Sequence, residues 1–195
     1  MLLKIIFYII FKLKGWRIEG EVKPEIKRCV LLAVPHTSNW DIVFASAAFY
    51  IMKIPLRWAV KKEWFRFPFG AIIRSSGGIP IDRSPKVPGE KRLSTVEAMA
   101  HLFQGHQELA VLVTPEGTRK RVDKWKTGYW YTAKEANVPI VIGYLDYKHK
   151  RAGIGPTIWP SNLEEDMKKV MEFSKTLYPR YPEKFALDTR YSTPD

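Results

Sequence analysis

Cysteine is almost absent: Cys29 stands alone among 195 residues. One thiol cannot close an internal disulfide, so the fold is held by its own core, and the body of the chain is expected to face a reducing compartment. Its place at the start of an apolar run marks Cys29 as a buried structural thiol before a nucleophile. An apolar run of about 20 residues, the length of a membrane span, is also missing. The nearest candidate, MLLKIIFYIIFKLK at residues 1–14, is too short, and no small-residue cleavage site follows it, which argues against a removable signal peptide. There is no internal repeat, no linker and no recognisable metal-ligand spacing. His101 and His106 lie five apart with no cysteine nearby, so they are expected as exposed helix histidines, and no metal site is expected.

What the chain has in quantity is apolar, aromatic and basic. Forty-six per cent apolar residues, with seven Trp, nine Tyr and ten Phe, exclude a disordered chain, and the length suits one domain with a sizeable core. A net charge of +12, spread along the whole sequence, favours anionic partners: a membrane surface, nucleic acid or phosphorylated small molecules. Residues 1–15 read as an apolar and basic helix, with Lys4, Lys12 and Lys14 able to reach lipid head groups. The expectation is a monotopic contact with an anionic membrane surface on its cytoplasmic face, ahead of a body at 16–195; the alternative is a buried first helix of the core.

Along the body, apolar runs at 29–34, 56–60, 77–83, 108–114 and 138–147 read as strands. Helical stretches fall between them: 42–52, a short aromatic and basic one within 61–70 with a turn at Pro68, 90–104 and 128–137, with a last helix at 162–177. Residues 84–89 read as a loop, Gly153 and Gly155 as marking a turn, and the Pro- and Tyr-rich end as irregular. Strands alternating with helices predict a single-domain α/β fold, with a mostly parallel central sheet flanked by helices and an N-terminal amphipathic helix.

Polar clusters sit at three of the strand ends: His36 with Asp41, Asp82 with Arg83, and Glu116 with Arg119. In open parallel sheets, ligands collect beyond the carboxyl ends of the strands, so the clusters can share one crevice. His36 leaves a strand and Asp41 enters the next helix, and a carboxylate that fixes an imidazole makes it a competent general base. Ser38-Asn39-Trp40-Asp41 also approaches a capping box, with Ser38 as N-cap, and these residues alone leave the two readings level. Arginine forks fit phosphate oxygens, and the Gly117-Thr118 backbone can add donors. The neighbouring Lys120 and Arg121 read as a solvated basic loop, and Trp125, Tyr129, Trp130 and Tyr131 as core or interfacial aromatics.

Four segments in order carry a family resemblance: His36-x-x-x-x-Asp41, Gly77-Gly78-Ile79-Pro80-Ile81-Asp82-Arg83, Pro115-Glu116-Gly117-Thr118-Arg119 and Val138-Pro139-Ile140. Together, over residues 29–147, they resemble the motif blocks of the glycerolipid acyltransferases, the nearest type being 1-acylglycerol-3-phosphate acyltransferase. Lys61, Glu63 and Gly70, and Lys126 with Gly128, resemble intervening stretches. The resemblance implies transfer of a fatty acyl group from acyl-CoA or acyl-carrier protein to a lysolipid hydroxyl, without a cofactor. It makes His36 the base and Asp41 its orienting partner, assigns Arg83 and Arg119 to the acceptor phosphate, and has Glu116, Gly117 and Thr118 shape that site. Direct attack by the acceptor needs no acyl-enzyme, which suits the want of a convincing serine or cysteine nucleophile. Two departures stand out. Gly143 falls where many members carry a second proline, and 195 residues leave little room for a long N-terminal membrane hairpin. Lysophosphatidate is the default acceptor, with a lyso-aminolipid as the alternative. A basic binding module without catalysis is the rival of another class, but no nucleic-acid motif is present and nucleic acid is not an expected partner.

Overall fold

The structure is a computed structural model that describes residues 2–75, 77–84 and 92–192. Most of the loop expected at 84–89 therefore lies outside the described residues. The strands are β1 (Arg17–Glu19), β2 (Arg28–Val34), β3 (Leu56–Lys61), β4 (Gly78–Ile81), β5 (Leu109–Val113), β6 (Ile140–Asp146) and β7 (Arg151–Ile158). The helices are α1 (Leu2–Leu13), α2 (Trp40–Ile51), α3 (Phe69–Ser75), α4 (Thr95–Leu102), α5 (Gly128–Glu135) and α6 (Leu163–Lys175).

All seven strands form one sheet in the order β1–β7–β6–β2–β5–β3–β4. The five from β6 to β4 run parallel, while β7 is antiparallel to β6. The expected single-domain α/β architecture is what the chain adopts. Its middle strands are continuous apolar runs because helices cover both faces. Val30, Leu32 and Val34 of β2 face a core built with α4, α5 and α6, and Cys29 and Leu31 face the one under α2. The chain steps from β2 outward to β3 and β4, returns to insert β5 beside β2, then adds β6 on the far side of β2. Reversal of direction at β2 opens a crevice at its carboxyl end, flanked by the loop after β5.

Three local readings change. Gly153 and Gly155 do not mark a turn: both lie within the unbroken strand β7. They permit close approach. A Cβ on Gly153 would run into the backbone of Glu19 in β1, and one on Gly155 into the ring of Phe173 in α6. The short helix expected within 61–70 is a 3₁₀ turn at Lys62–Phe65; the expected turn at Pro68 is present, and α3 starts only after it. The helix expected from residue 90 begins at Thr95, where Ser94 and Glu97 complete a reciprocal capping box.

α1 divides its surface between two environments. Phe11 is fully buried, 5.9 Å from the ring of Trp16 and 6.5 Å from that of Phe44, and Phe7 and Ile10 pack beside it. Ile5, Ile6, Ile9 and Leu13, on the opposite side, are exposed. The helix is thus both a core element and an apolar surface. Among the described residues, no helix is long and apolar enough to cross a membrane.

Gly153→Ala tests the close approach of β1 to β7. Overpacking against backbone has no rotamer escape, so the substitution is expected to cost about 1–3 kcal/mol or more in denaturant unfolding. Stability equal to wild type would show that the β1 pairing carries no weight.

Candidate active site

β2 ends at Val34, and residues 35–39 carry the chain into α2. Asp41 in the first turn of α2 sets the shape of that connection. Its Oδ2 accepts the Thr37 and Ser38 backbone N–H groups, each at 2.9 Å, and lies 3.2 Å from His36 Nδ1. Its Oδ1 accepts the Tyr147 hydroxyl at 2.5 Å. Of the capping box suggested by the sequence only the acidic half forms, the Ser38 N–H donating to Asp41 Oδ2. Asn39 is the N-cap and makes no side-chain cap bond, and Ser38 Oγ accepts from the Trp40 N–H. Asp41 reaches backward to the loop instead, so one carboxylate both folds the loop and holds the imidazole. The pair places a carboxylate oxygen beside Nδ1, from where it can orient the ring.

Glu116 follows β5 and closes the site from the neighbouring strand. Its Oε1 accepts the His36 backbone N–H at 3.0 Å, while Oε2 is buried without a partner. Burial raises its carboxyl from 4.5 to about 7, against the pull of its backbone hydrogen bonds and of His36.

In front of His36 lies an open cleft of about 780 Å³. Its walls include Arg119, Lys120, Arg121 and Lys184, together with the Gly117-Thr118 turn; among the described residues no carboxylate lines it, and Asp123 pairs with Arg121 at 3.6 Å. The Arg119 guanidinium donates to Asn39 Oδ1, which ties the β5 loop to the start of α2. Gly117 has φ +65°, a left-handed conformation that favours glycine, and the end of the Lys126 side chain lies where a Cβ would be. Behind His36 is a small apolar crevice of about 50 Å³, between α2 and the sheet. Phe49 and Gly143 meet there, and a Cβ at Gly143 would sit 2.8 Å from Phe49 Cζ.

His36, Asp41, Glu116, Gly117, Thr118 and Arg119 are thus brought together. Arg83 is not. Beyond β4, its Nε donates to the Leu93 carbonyl at 2.9 Å, and it lines a separate cleft of about 350 Å³ with Lys62, Arg66 and Arg92. β4 stands three strand spacings from β2, roughly 14 Å across the sheet. Lys120 and Arg121, read from sequence as a solvated loop, belong to the cleft wall. Trp125, Tyr129 and Trp130 are buried core aromatics, and Tyr131 is exposed. Cys29 is buried with its thiol pushed up to about 12, which leaves it protonated and inert. Sequence reasoning missed Tyr147 and Lys184. Tyr147 lies 106 residues beyond Asp41 at the end of β6, and Lys184 falls in the stretch read as irregular. Neither position carries a motif.

A histidine–carboxylate pair at the strand ends of an α/β sheet, opening on a cleft, is the arrangement of an enzyme rather than of a surface-binding module. Residues 16–142 match the profile of the Acyltransferase family, well over half of the chain. The chain belongs to that family, which includes the 1-acylglycerol-3-phosphate acyltransferases, and is an enzyme that transfers acyl groups. No curated protein matches the chain.

The raised carboxyl of Glu116 predicts how stability depends on pH. Below pH 4.5 it is protonated in folded and unfolded chains alike; from 4.5 to about 7 the unfolded chain ionises first. Its contribution therefore falls as pH rises through that window, by on the order of 3 kcal/mol. Glu116→Gln should flatten the wild-type slope of unfolding free energy between pH 4.5 and 7. An unchanged slope would show that the carboxyl ionises normally in the fold.

Proposed function

We propose that the protein moves a fatty acyl group from acyl-CoA or acyl-carrier protein to the hydroxyl of a lysophospholipid, 1-acylglycerol-3-phosphate, at the cytoplasmic face of an anionic membrane. The observation that carries this reading is the Asp41-held His36 opening on a cleft lined by four cations. The acceptor hydroxyl gives its proton to His36 Nε2 as its oxygen attacks the thioester carbonyl carbon. Asp41 stabilises the resulting imidazolium through Nδ1–H. The tetrahedral intermediate then breaks its carbon–sulfur bond, and the departing thiolate takes the proton from Nε2. The products are the ester and a free thiol, and the imidazole returns to its starting state.

The acceptor phosphate is assigned to Arg119, whose fork grips oxygen pairs and whose tie to Asn39 aims it beside His36. Lys120, Arg121 and Lys184 then remain for the phosphates of the donor. Arg83, on its separate cleft, stands further along the same rim and is not needed for that grip. The exposed apolar side of α1, with Lys12 and Lys14 close by, supports residues 1–15 as the membrane contact.

Two variants test this reading. His36→Ala should lower the rate of thiol release from acyl-CoA with lysophosphatidate by about 10²–10⁴-fold in a folded protein. Wild-type turnover would remove His36 from the chemistry. Arg119→Lys keeps the charge and loses the fork. It should raise the apparent KM for the phosphorylated acceptor about ten-fold or more, with the thioester KM little changed. A penalty on the thioester instead, with a phosphate-free acceptor preferred, would assign Arg119 to the donor and make lysophosphatidate the wrong substrate.

A further inference from the structure

Residues 62–75 form a segment most of whose large apolar side chains lie outside the core. Across the 3₁₀ turn and α3, Gly70 is the one buried residue. Trp64 is 59 % exposed, Phe67 98 %, Phe69 55 % and Ile72 67 %. Single exposed apolar residues are ordinary, but four large ones within nine positions are not. Basic residues are interleaved with them: Lys61, Lys62, Arg66 and Arg74, against a single acid, Glu63. Lys62 is engaged with Asp82 at 2.5 Å, and the Arg74 guanidinium lies over the Phe65 ring at 5.8 Å. Arg66, beside the most exposed ring, lines the cleft that also holds Arg83 and Arg92.

The sheet decides which way this segment faces. Ile73 of α3 occupies the space that a side chain at Gly78 of β4 would fill. The next strand residue, Ile79, packs with the opposite core, the one covered by α4, α5 and α6. Neighbouring strand residues point to opposite faces, so α3 lies on the α2 side of the sheet. The right-handed crossovers β2–α2–β3 and β3–α3–β4 require the same placement. α1 packs on α2, so its exposed stripe of Ile5, Ile6, Ile9 and Leu13 is on this side too. On the other side, α6 presents Glu164, Glu165, Lys168 and Glu172 to water. One face of the molecule is apolar and basic, the other charged in both signs.

We propose that residues 64–72 form a second membrane-docking element, inserting Trp64, Phe67, Phe69 and Ile72 into the interface of an anionic bilayer while Arg66 meets lipid phosphates. The occupant is a bilayer because the patch has the chemistry of an interfacial anchor, aromatic rings flanked by cations, and because it shares a face with α1. The inference rests on the membrane-surface reading above and adds a second point of attachment that fixes the rotation of the enzyme on the lipid.

Cys29 is buried and its thiol is unreactive, so a single cysteine placed on the surface can be labelled selectively. Phe67→Cys in the full chain, carrying an environment-sensitive nitrobenzoxadiazole label, is titrated with phosphatidylcholine vesicles containing phosphatidylglycerol. The label should shift to the blue and brighten, while the same label at Tyr131→Cys, exposed on α5 across the sheet, should not. Trp64→Ser/Phe67→Ser should sediment with these vesicles about ten-fold or more less tightly, with an unchanged thermal midpoint. An aqueous spectrum at position 67 on protein that does sediment would overturn the second anchor and leave the membrane reading intact. Protein that fails to sediment at all would overturn both. A blue shift that grows with protein concentration in the absence of vesicles would make a second copy of the chain the occupant and overturn the proposal.

Discussion

The site depends on one buried carboxylate. Removing Asp41 from water would be costly if it were left unpaired, and its four partners offset that cost: two loop amides, one imidazole nitrogen and one phenol. The Tyr147 phenol is in turn fixed by aromatic packing. Trp16 stacks on Phe44 at 4.4 Å, and Tyr147 stands edge-on to both, at 5.0 and 5.8 Å. Phe11 of α1 closes the same cluster. A continuous line of contacts thus runs from the N-terminal helix through the aromatic cluster and Tyr147 to Asp41 and His36. The helix with the exposed apolar side is also part of what holds His36 in place.

The second constraint is the parallel pairing of β2 with β5. Its register sets Val30 beside Val111 and Leu32 beside Val113, which brings the two following loops to one place. Glu116 spans them through the His36 backbone N–H. That bond fixes the main chain of the histidine while Asp41 fixes its ring, so the imidazole is held from both ends. The same adjacency gathers Arg119, Lys120 and Arg121 on one wall; Asp123 pairs with Arg121 at 3.6 Å, which leaves an excess of positive charge for an entering anion to offset. A cleft of this kind attracts phosphate from a distance and loses that advantage as salt screens it.

Much of this was legible in the sequence because the middle of the sheet obeys simple rules. Continuous apolar runs gave β2, β5 and β6, and the strand ends marked where His36, Asp41, Glu116 and Arg119 would gather. What escaped has physical causes. Gly153 and Gly155 read as turn residues because a glycine needed for close backbone approach looks the same in sequence as one needed for a turn. Tyr147 belongs to the site only through a hydrogen bond across 106 residues, which no local pattern encodes. Arg83 sits in a motif block beside the others in sequence order, yet β3 and β5 separate its strand from β2. Whether Asp41 capped a helix or oriented a base could not be decided from spacing, since the fold makes one carboxylate bind both the loop and the ring.

The crevice behind His36 bears on where the acyl chain lies. At about 50 Å³, it has no room for a fatty tail. Its floor is the contact of Phe49 with Gly143. Phe49 is a large ring on a helix facing a residue without a side chain, so its rotamer rather than the backbone sets the depth of the crevice. A tail can enter the fold only by displacing that ring; otherwise it stays outside, along the apolar side of the molecule that α1 and α3 share. In the proposed orientation that side faces lipid, and the tail can remain in the bilayer while the thioester reaches His36. The apolar face, the shallow crevice and the cation-lined cleft are then three parts of one solution, with hydrocarbon kept in the membrane and only the polar ends of both substrates brought to the sheet.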